Sequence, residues 1–259
     1  MDIIKSGNSK YEEYENLLLE RDRLLKEAGQ IWTVYRQLYG ELATQIYEEK
    51  LECVKCKKTI AYCQSARNRG ETVDASSLNA FLDAEMAEYY SNLDRMLHDY
   101  EAARNAGRSS AYEVKRSKEL YRKLAKLLHP DLNPLTGSLE AMLEIWHRIV
   151  SAYHRNDVKE LTELEVIARK ALADAGSGGG GSAEIPDLDD RIAEVHEEIE
   201  HIVSTEPYTL RNLVEDEDAI DAKKRELEEE LETYRRYHGE LNAVVMKLIA
   251  DGGISFYVE

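Results

Sequence analysis

Tyr121-Arg122-Lys123-Leu124-Ala125-Lys126-Leu127-Leu128-His129-Pro130-Asp131 lies near the middle of the chain. Its first eight residues set Leu and Ala at three- and four-residue steps with basic side chains between them, the pattern of a helix with one apolar and one cationic face. Pro130 cannot continue that helix, while a histidine before it and an aspartate after it suit a helix C-terminus and a turn. Upstream, Ser109 or Ser110 is placed to cap the helix. Downstream, Leu132-Asn133-Pro134-Leu135-Thr136-Gly137 reads as a loop by its Pro and Gly. Ser138 is placed to cap a second helix bearing Leu139, Met142, Leu143, Trp146, Ile149, Val150 and Tyr153. Two amphipathic helices joined by a short loop predict a helical hairpin.

The rest of the chain supports the same class. Only 4 prolines and 2 phenylalanines occur in 259 residues, and 33% of the residues are charged. Glu, Leu, Ala, Lys and Arg dominate, the composition of long helices. The expected fold is all-α, a long-helix coiled-coil scaffold with the hairpin embedded in it. Net charge is −17, of which residues 183–259 carry −14 and residues 1–182 carry −3. So acidic a chain repels a phosphate backbone, and no nucleic-acid partner is expected. No run approaches the ~20 apolar residues of a membrane span, and no signal-peptide core precedes Lys10. Neither a membrane nor a disulfide framework is expected, since 3 cysteines are too few for one. The expected location is cytoplasmic.

Four segments follow along the sequence: 1–108, a region of long helices; 109–175, the hairpin and a further helix; 176–182, a Gly/Ser linker; and 183–259, an acidic antiparallel coiled-coil hairpin. In the first, Leu17, Leu18, Leu24, Leu25, Ile31, Val34, Tyr35, Leu38, Leu42 and Ile46 keep helical spacing. Gly29 and Gly40 leave open one long helix or a bent pair. Asn68-Arg69-Gly70 reads as a glycine-capped end, and Asp74, Ser76 or Ser77 as the next cap. The 176–182 string is natural as a loop and equally common as an engineered linker. In the last segment Leu188, Ile192, Val195, Ile199 and Ile202 form one heptad seam. Ile220, Lys224, Leu227, Leu231, Tyr234, His238, Leu241, Val245 and Leu248 form a second, and the simplest arrangement pairs the two as an antiparallel coiled-coil hairpin, with packing of that hairpin on the N-terminal helices left open. Residues 254–258 read equally as a short strand or a disordered tail.

Residues 109–155 resemble a divergent bacterial J-domain of the DnaJ-like family. Tyr121 to Ala125 match the usual end of that family's helix II, His129-Pro130-Asp131 its loop, and Asn133-Pro134 the pair that follows. Trp146, Ile149, Ala152 and Tyr153 match its helix III pattern. The resemblance implies a co-chaperone that docks on a DnaK-type chaperone and stimulates its ATPase. In this chain the partner-binding residues implied are His129, Pro130, Asp131, Lys115, Lys118, Arg122, Lys123 and Lys126, with no catalytic residue, metal or cofactor of its own. Physics fits the role: Lys115, Arg116, Lys118, Arg122, Lys123 and Lys126 against Glu113 and Glu119 give this helix a net of +4, enough to steer an acidic surface. The chain also departs from the family. Helix I is missing in its usual form, with Tyr89-Tyr90 on a longer helix as a substitute. Leu127-Leu128 precede His129, the loop is about three residues longer, and Leu132 replaces a usually basic residue. No Gly/Phe-rich region or zinc module is present. A non-catalytic coiled-coil adaptor with a repurposed J-like fold remains the second reading.

Other chemistry-bearing residues are weaker signals. Cys53, Cys56 and Cys63 share one helical face, where small core residues are expected before a zinc or redox site. His98, His147, His154, His196, His201 and His238 show no metal-binding spacing, and His238 falls on a heptad seam. No phosphate loop or nucleophile elbow appears. No enzyme is expected.

Overall fold

Helix α1 runs unbroken over Asp2–Asn68. Neither Gly29 nor Gly40 interrupts it. At Gly40 a Cβ would come within 2.5 Å of the Tyr100 ring, so the missing side chain is what lets that tyrosine approach. The computed structural model describes residues 2–107, 109–175, 187–251 and 254–255, with side chains over 10–107, 109–133, 136–175 and 187–251. The 176–182 string and residues 256–258 lie outside the described residues. The protein is all-α. After α1 come α2 (Ala75–Asn105), α3 (Ala111–Leu128), the single turn α4 (Pro134–Ser138), α5 (Glu140–His154), α6 (Val158–Asp174), α7 (Leu188–Ser204), the short α8 (Asn212–Glu215) and α9 (Glu217–Ala250). Among the described residues the one extended feature is a parallel ladder of β1 (Val73–Asp74) with β2 (Ile254–Ser255), the strand alternative for that part of the tail. Among the described residues no helix is long and apolar enough to cross a membrane.

Local chemistry sets the helix ends. Gly70 adopts φ +72°, and its N–H and that of Glu71 return to the Arg67 and Ala66 carbonyls to close α1. Asp74 starts α2 by accepting from Ser77 N at 2.9 Å. Ser110 and Glu113 form a reciprocal capping box at α3. Two boundaries differ from expectation. Residues 134–138 form a helical turn instead of an irregular loop, because proline is preorganised for a first helical position. Ser138 consequently ends that turn, and α5 begins after Leu139 with no side-chain cap.

Contacts divide the chain into two compact units, Met1–Ile31 with Gly107–Thr209, and Trp32–Ala106 with Leu210–Glu259. This division is not linear in sequence: α1 contributes its first half to one unit and its second half to the other. In the first unit α3, α5 and α6 share a core of Leu120, Leu124, Leu128, Trp146, Ile149 and Leu161, against which Leu19 of α1 packs. Tyr14 and Leu18 of α1 cluster with Leu132 and with Val195 of the α7 seam. In the second, Tyr39 and Ile46 of α1 cluster with Leu227 and Leu231 of the α9 seam. Both seams therefore bury on α1, within their own units. Spacing alone misassigned two positions of α1: Leu25 and Val34 are exposed, and Lys26 beside Leu25 is buried.

Candidate functional site

Helix α3 presents two unlike faces. Its inner stripe, Ser117, Leu120, Tyr121, Leu124 and Leu128, recurs at three- and four-residue steps and is buried. Lys115, Lys118, Arg122, Lys123 and Lys126 all stand exposed. Lys126 reaches Glu15 of α1 at 2.6 Å. A groove of about 650 Å³ separates the two helices, lined on the α1 side by Glu13, Glu15 and Glu20 and on the α3 side by Lys118, Arg122 and Lys126. Arg23, followed by burial acting the other way, holds the Glu20 carboxyl below its ordinary value, with Lys118 and Arg122 adding to the lowering.

The loop at the end of α3 is fastened by its own backbone. His129 N–H donates to Ala125 O at 2.8 Å and ends the helix. Its carbonyl accepts from Leu132 N and Asn133 N, and the Asn133 side-chain amide donates to Leu127 O. These bonds occupy carbonyls that a helix C-terminus otherwise leaves to water. Asn133 thus has a structural task that its place in the sequence motif does not reveal.

His129 is 3% exposed. Its Nδ1 accepts from Asp131 N–H at 3.1 Å. At the other end of the ring, Nε2 faces Asp22 Oδ2 at 3.7 Å and Arg21 Nη2 at 3.4 Å. Burial pushes the imidazole pKa below its ordinary value, against the opposing pull of Asp22 and Asp131, so the neutral form is the one held at pH 7. The ring packs edge-on to Trp146 at 4.8 Å between centroids. Trp146 lies 5.8 Å from Tyr121, which stacks on Tyr153 at 4.0 Å. Pro130 and Asp131 are half-buried beside the histidine. Asp131 Oδ2 lies 3.9 Å from Arg21 Nη1. A cleft of about 360 Å³ is bounded by this loop, Arg21, Asp22 and Trp146.

Several residues in this site escaped sequence reasoning. Asp22 accepts the Tyr121 hydroxyl at 2.6 Å. That contact and, first, burial raise the phenol pKa of Tyr121, so it stays protonated. Arg21 Nη1 pairs with Glu198 of α7 at 3.0 Å. Lys26 is 6% exposed, donates to Asn156 Oδ1 at 2.5 Å and sits 3.7 Å over the Tyr153 ring. Burial, then the charge of Lys118, brings its pKa down to about 8. Asn156 in turn adopts φ +56° between α5 and α6 and accepts from Ser117 Oγ. Nothing in the spacing of α1 separates Arg21, Asp22 and Lys26 from its many solvated charges. Against the hairpin the chain sets α1, through Leu19, Asp22 and Lys26, while Tyr89 and Tyr90 lie on α2 in the second unit.

The three cysteines and His238 sit in packing or pairing roles. Cys53, Cys56 and Cys63 are buried free thiols, and burial pushes each thiol pKa up, opposite to an activated cysteine. His238 Nδ1 meets Glu49 at 2.9 Å. Among the described residues no group of three or more His, Cys, Asp or Glu is assembled for a metal. Compared with protein families, with curated proteins and with solved structures, the chain finds no match.

Proposed function

We propose that this protein is a J-domain-like co-chaperone that docks on a DnaK-type chaperone through α3 and the His129-Pro130-Asp131 loop and stimulates its ATPase. The observation that carries the reading is the junction of an exposed cationic stripe with that loop on one helical hairpin. Lys115, Lys118, Arg122, Lys123 and Lys126 are exposed along α3, with Lys118, Arg122 and Lys126 lining the groove beside α1, and the tripeptide follows the last turn directly. A cationic helix draws in an acidic surface, and the loop next to it then meets the partner at a fixed register. The chain performs no bond chemistry itself in this reading, and the cytoplasm is its proposed location. The test is single-turnover ATP hydrolysis by a bacterial DnaK-type chaperone with and without the full chain. Wild type accelerates hydrolysis, His129→Gln returns it to the unstimulated rate, and Lys123→Glu with Lys126→Glu weakens the effect by raising the concentration required. A folded chain that leaves hydrolysis unchanged at every concentration defeats the reading.

A second reading is a non-catalytic adaptor in which the J-like hairpin is structural. The burial of His129 favours it, since a residue packed on Trp146 and Asp22 can serve as a core histidine. In that case His129→Gln lowers stability while capture of a partner survives charge reversal on α3.

A further inference from the structure

We infer that the first half of α1 is an autoinhibitory latch that occupies the docking face of α3 and its loop. The inference rests on the docking reading above and assigns that site its regulation. Three chemistries are needed to engage this face from outside: carboxylates for the lysines and arginine of α3, a cation for Asp131, and a surface that accepts the loop. Helix α1 supplies all three from within the chain. Glu15 pairs with Lys126 at 2.6 Å, and Glu13 and Glu20 line the same groove opposite Lys118 and Arg122. Arg21 stands 3.9 Å from the Asp131 carboxylate and is itself held by Glu198 of α7. Leu132 is 7% exposed and clusters with Tyr14 and Leu18 of α1 and Val195 of α7.

Leu132 is the position at which the chain departs from the basic residue usual in J-domains. A lysine there would carry its charge into an apolar cluster, so the leucine is suited to holding the loop under α1. Asp22 completes the closure by covering His129, whose ring no partner can reach while α1 is seated. Each ion pair of the latch joins a largely covered side chain of α1, Glu15 or Arg21, to a more open one on the hairpin, Lys126 or Asp131, so a partner competes through the open member, with a carboxylate for Lys126 and a cation for Asp131. Only molecules with α1 lifted are competent, and the apparent affinity for the chaperone falls by that open fraction.

The latch is tested on the full chain in two variants, Leu132→Lys and the double change Glu15→Gln with Arg21→Gln, with circular dichroism checking the fold. Two readouts are followed: modification of His129 by diethyl pyrocarbonate, scored by mass spectrometry against the exposed His196, and stimulation of a bacterial DnaK-type ATPase. In wild type His129 reacts at least about tenfold more slowly than His196, a gap that local opening sets. Either variant closes that gap and raises stimulation several-fold at a fixed subsaturating concentration. Wild-type His129 reacting as fast as His196, or folded variants that leave its rate unchanged, overturns the latch. Equal stimulation by wild type and opened variants overturns its regulatory role while the docking reading stands. Exposed His129 with no stimulation by any form overturns the docking reading, and the regulation proposed here falls with it.

Discussion

The two halves of α1 share one helix and an apolar inner face, but the first half adds charge to it. Between Tyr14 and Ile31 the helix commits charged groups to its inner side, with Asp22 on the Tyr121 hydroxyl and Lys26 on Asn156 and the Tyr153 ring. Between Trp32 and Asn68 it buries Tyr39, Ile46, Leu51, Cys53, Cys56 and Cys63. Apolar contacts are non-directional and tolerate small slips, so the second half gains stability in proportion to area. Hydrogen bonds to buried charges require particular atoms at particular distances. The first half therefore fixes the axial position of α1 on the hairpin, and that position is what places Arg21 and Asp22 over His129.

The chain's 2 tryptophans report the halves separately, since Trp32 lies in one unit and Trp146 in the other. The largest expected effect is Tyr39→Ala, which empties a buried ring site and leaves the Leu213 carbonyl without its 2.6 Å donor. Loss of about 3–5 kcal/mol is expected for an aromatic truncation of this kind. It is read as an early denaturant transition of Trp32 fluorescence in a Trp146→Phe background. If the Trp146 transition in the Trp32→Phe background moves by the same amount, the contrast between the halves breaks down. Next comes Asp22→Ala, which strands the Tyr121 hydroxyl in a buried site at a cost of about 1–3 kcal/mol. Here the Trp146 transition shifts, and Trp32 stays where it was.

The smallest effect per step is the pH dependence of Lys26. Its folded pKa of about 8 lies below the ordinary lysine value of 10.5. Between these two values the unfolded chain binds more protons than the folded one, so stability rises with pH, by at most about 1.4 kcal/mol per unit. Tyr121 and Tyr153 act in the opposite sense: burial raises their pKa, that of Tyr153 to about 12, so their contribution is lost as pH climbs beyond 10. The Lys26 rise is therefore sought between pH 8 and 10 in the Trp146 transition, and Lys26→Met abolishes it. A rise of the same size in the Trp32 transition would place its origin elsewhere.

Much of the fold was legible in the residues. The Gly70 end lies where its chemistry puts it, and Asp74 and Ser110, each among the candidates for its helix, are the caps formed. Each depends on hydrogen bonds among residues a few positions apart, so a short window of sequence contains both partners. All nine positions of the α9 seam are at least partly covered, as heptad spacing requires. Apart from the 134–138 turn and the start of α5, the failures came where distance along the chain is large. Leu25 and Lys26 exchange their expected burial because Asn156, 130 positions away, receives the ammonium of Lys26. For the candidate site, the cationic stripe of α3 and the position of the tripeptide were readable, while its cover was not.

Sequence by itself determined that this chain is helical, where most of its helices begin and end, and that a cationic helix leads into His129-Pro130-Asp131. Helix propensity, capping and the 3.6-residue period are local, and they follow from side chains already adjacent in the chain. Only the tertiary structure decided that His129 is shut away at 3% exposure, neutral, and within reach of Arg21 and Asp22. Arg21 lies 108 positions from the histidine along the chain, with Asp22 beside it. Their meeting depends on the axial setting of α1 against the hairpin, and that setting comes from the packing of Tyr14, Leu18 and Leu132 together with the buried bonds of Asp22 and Lys26.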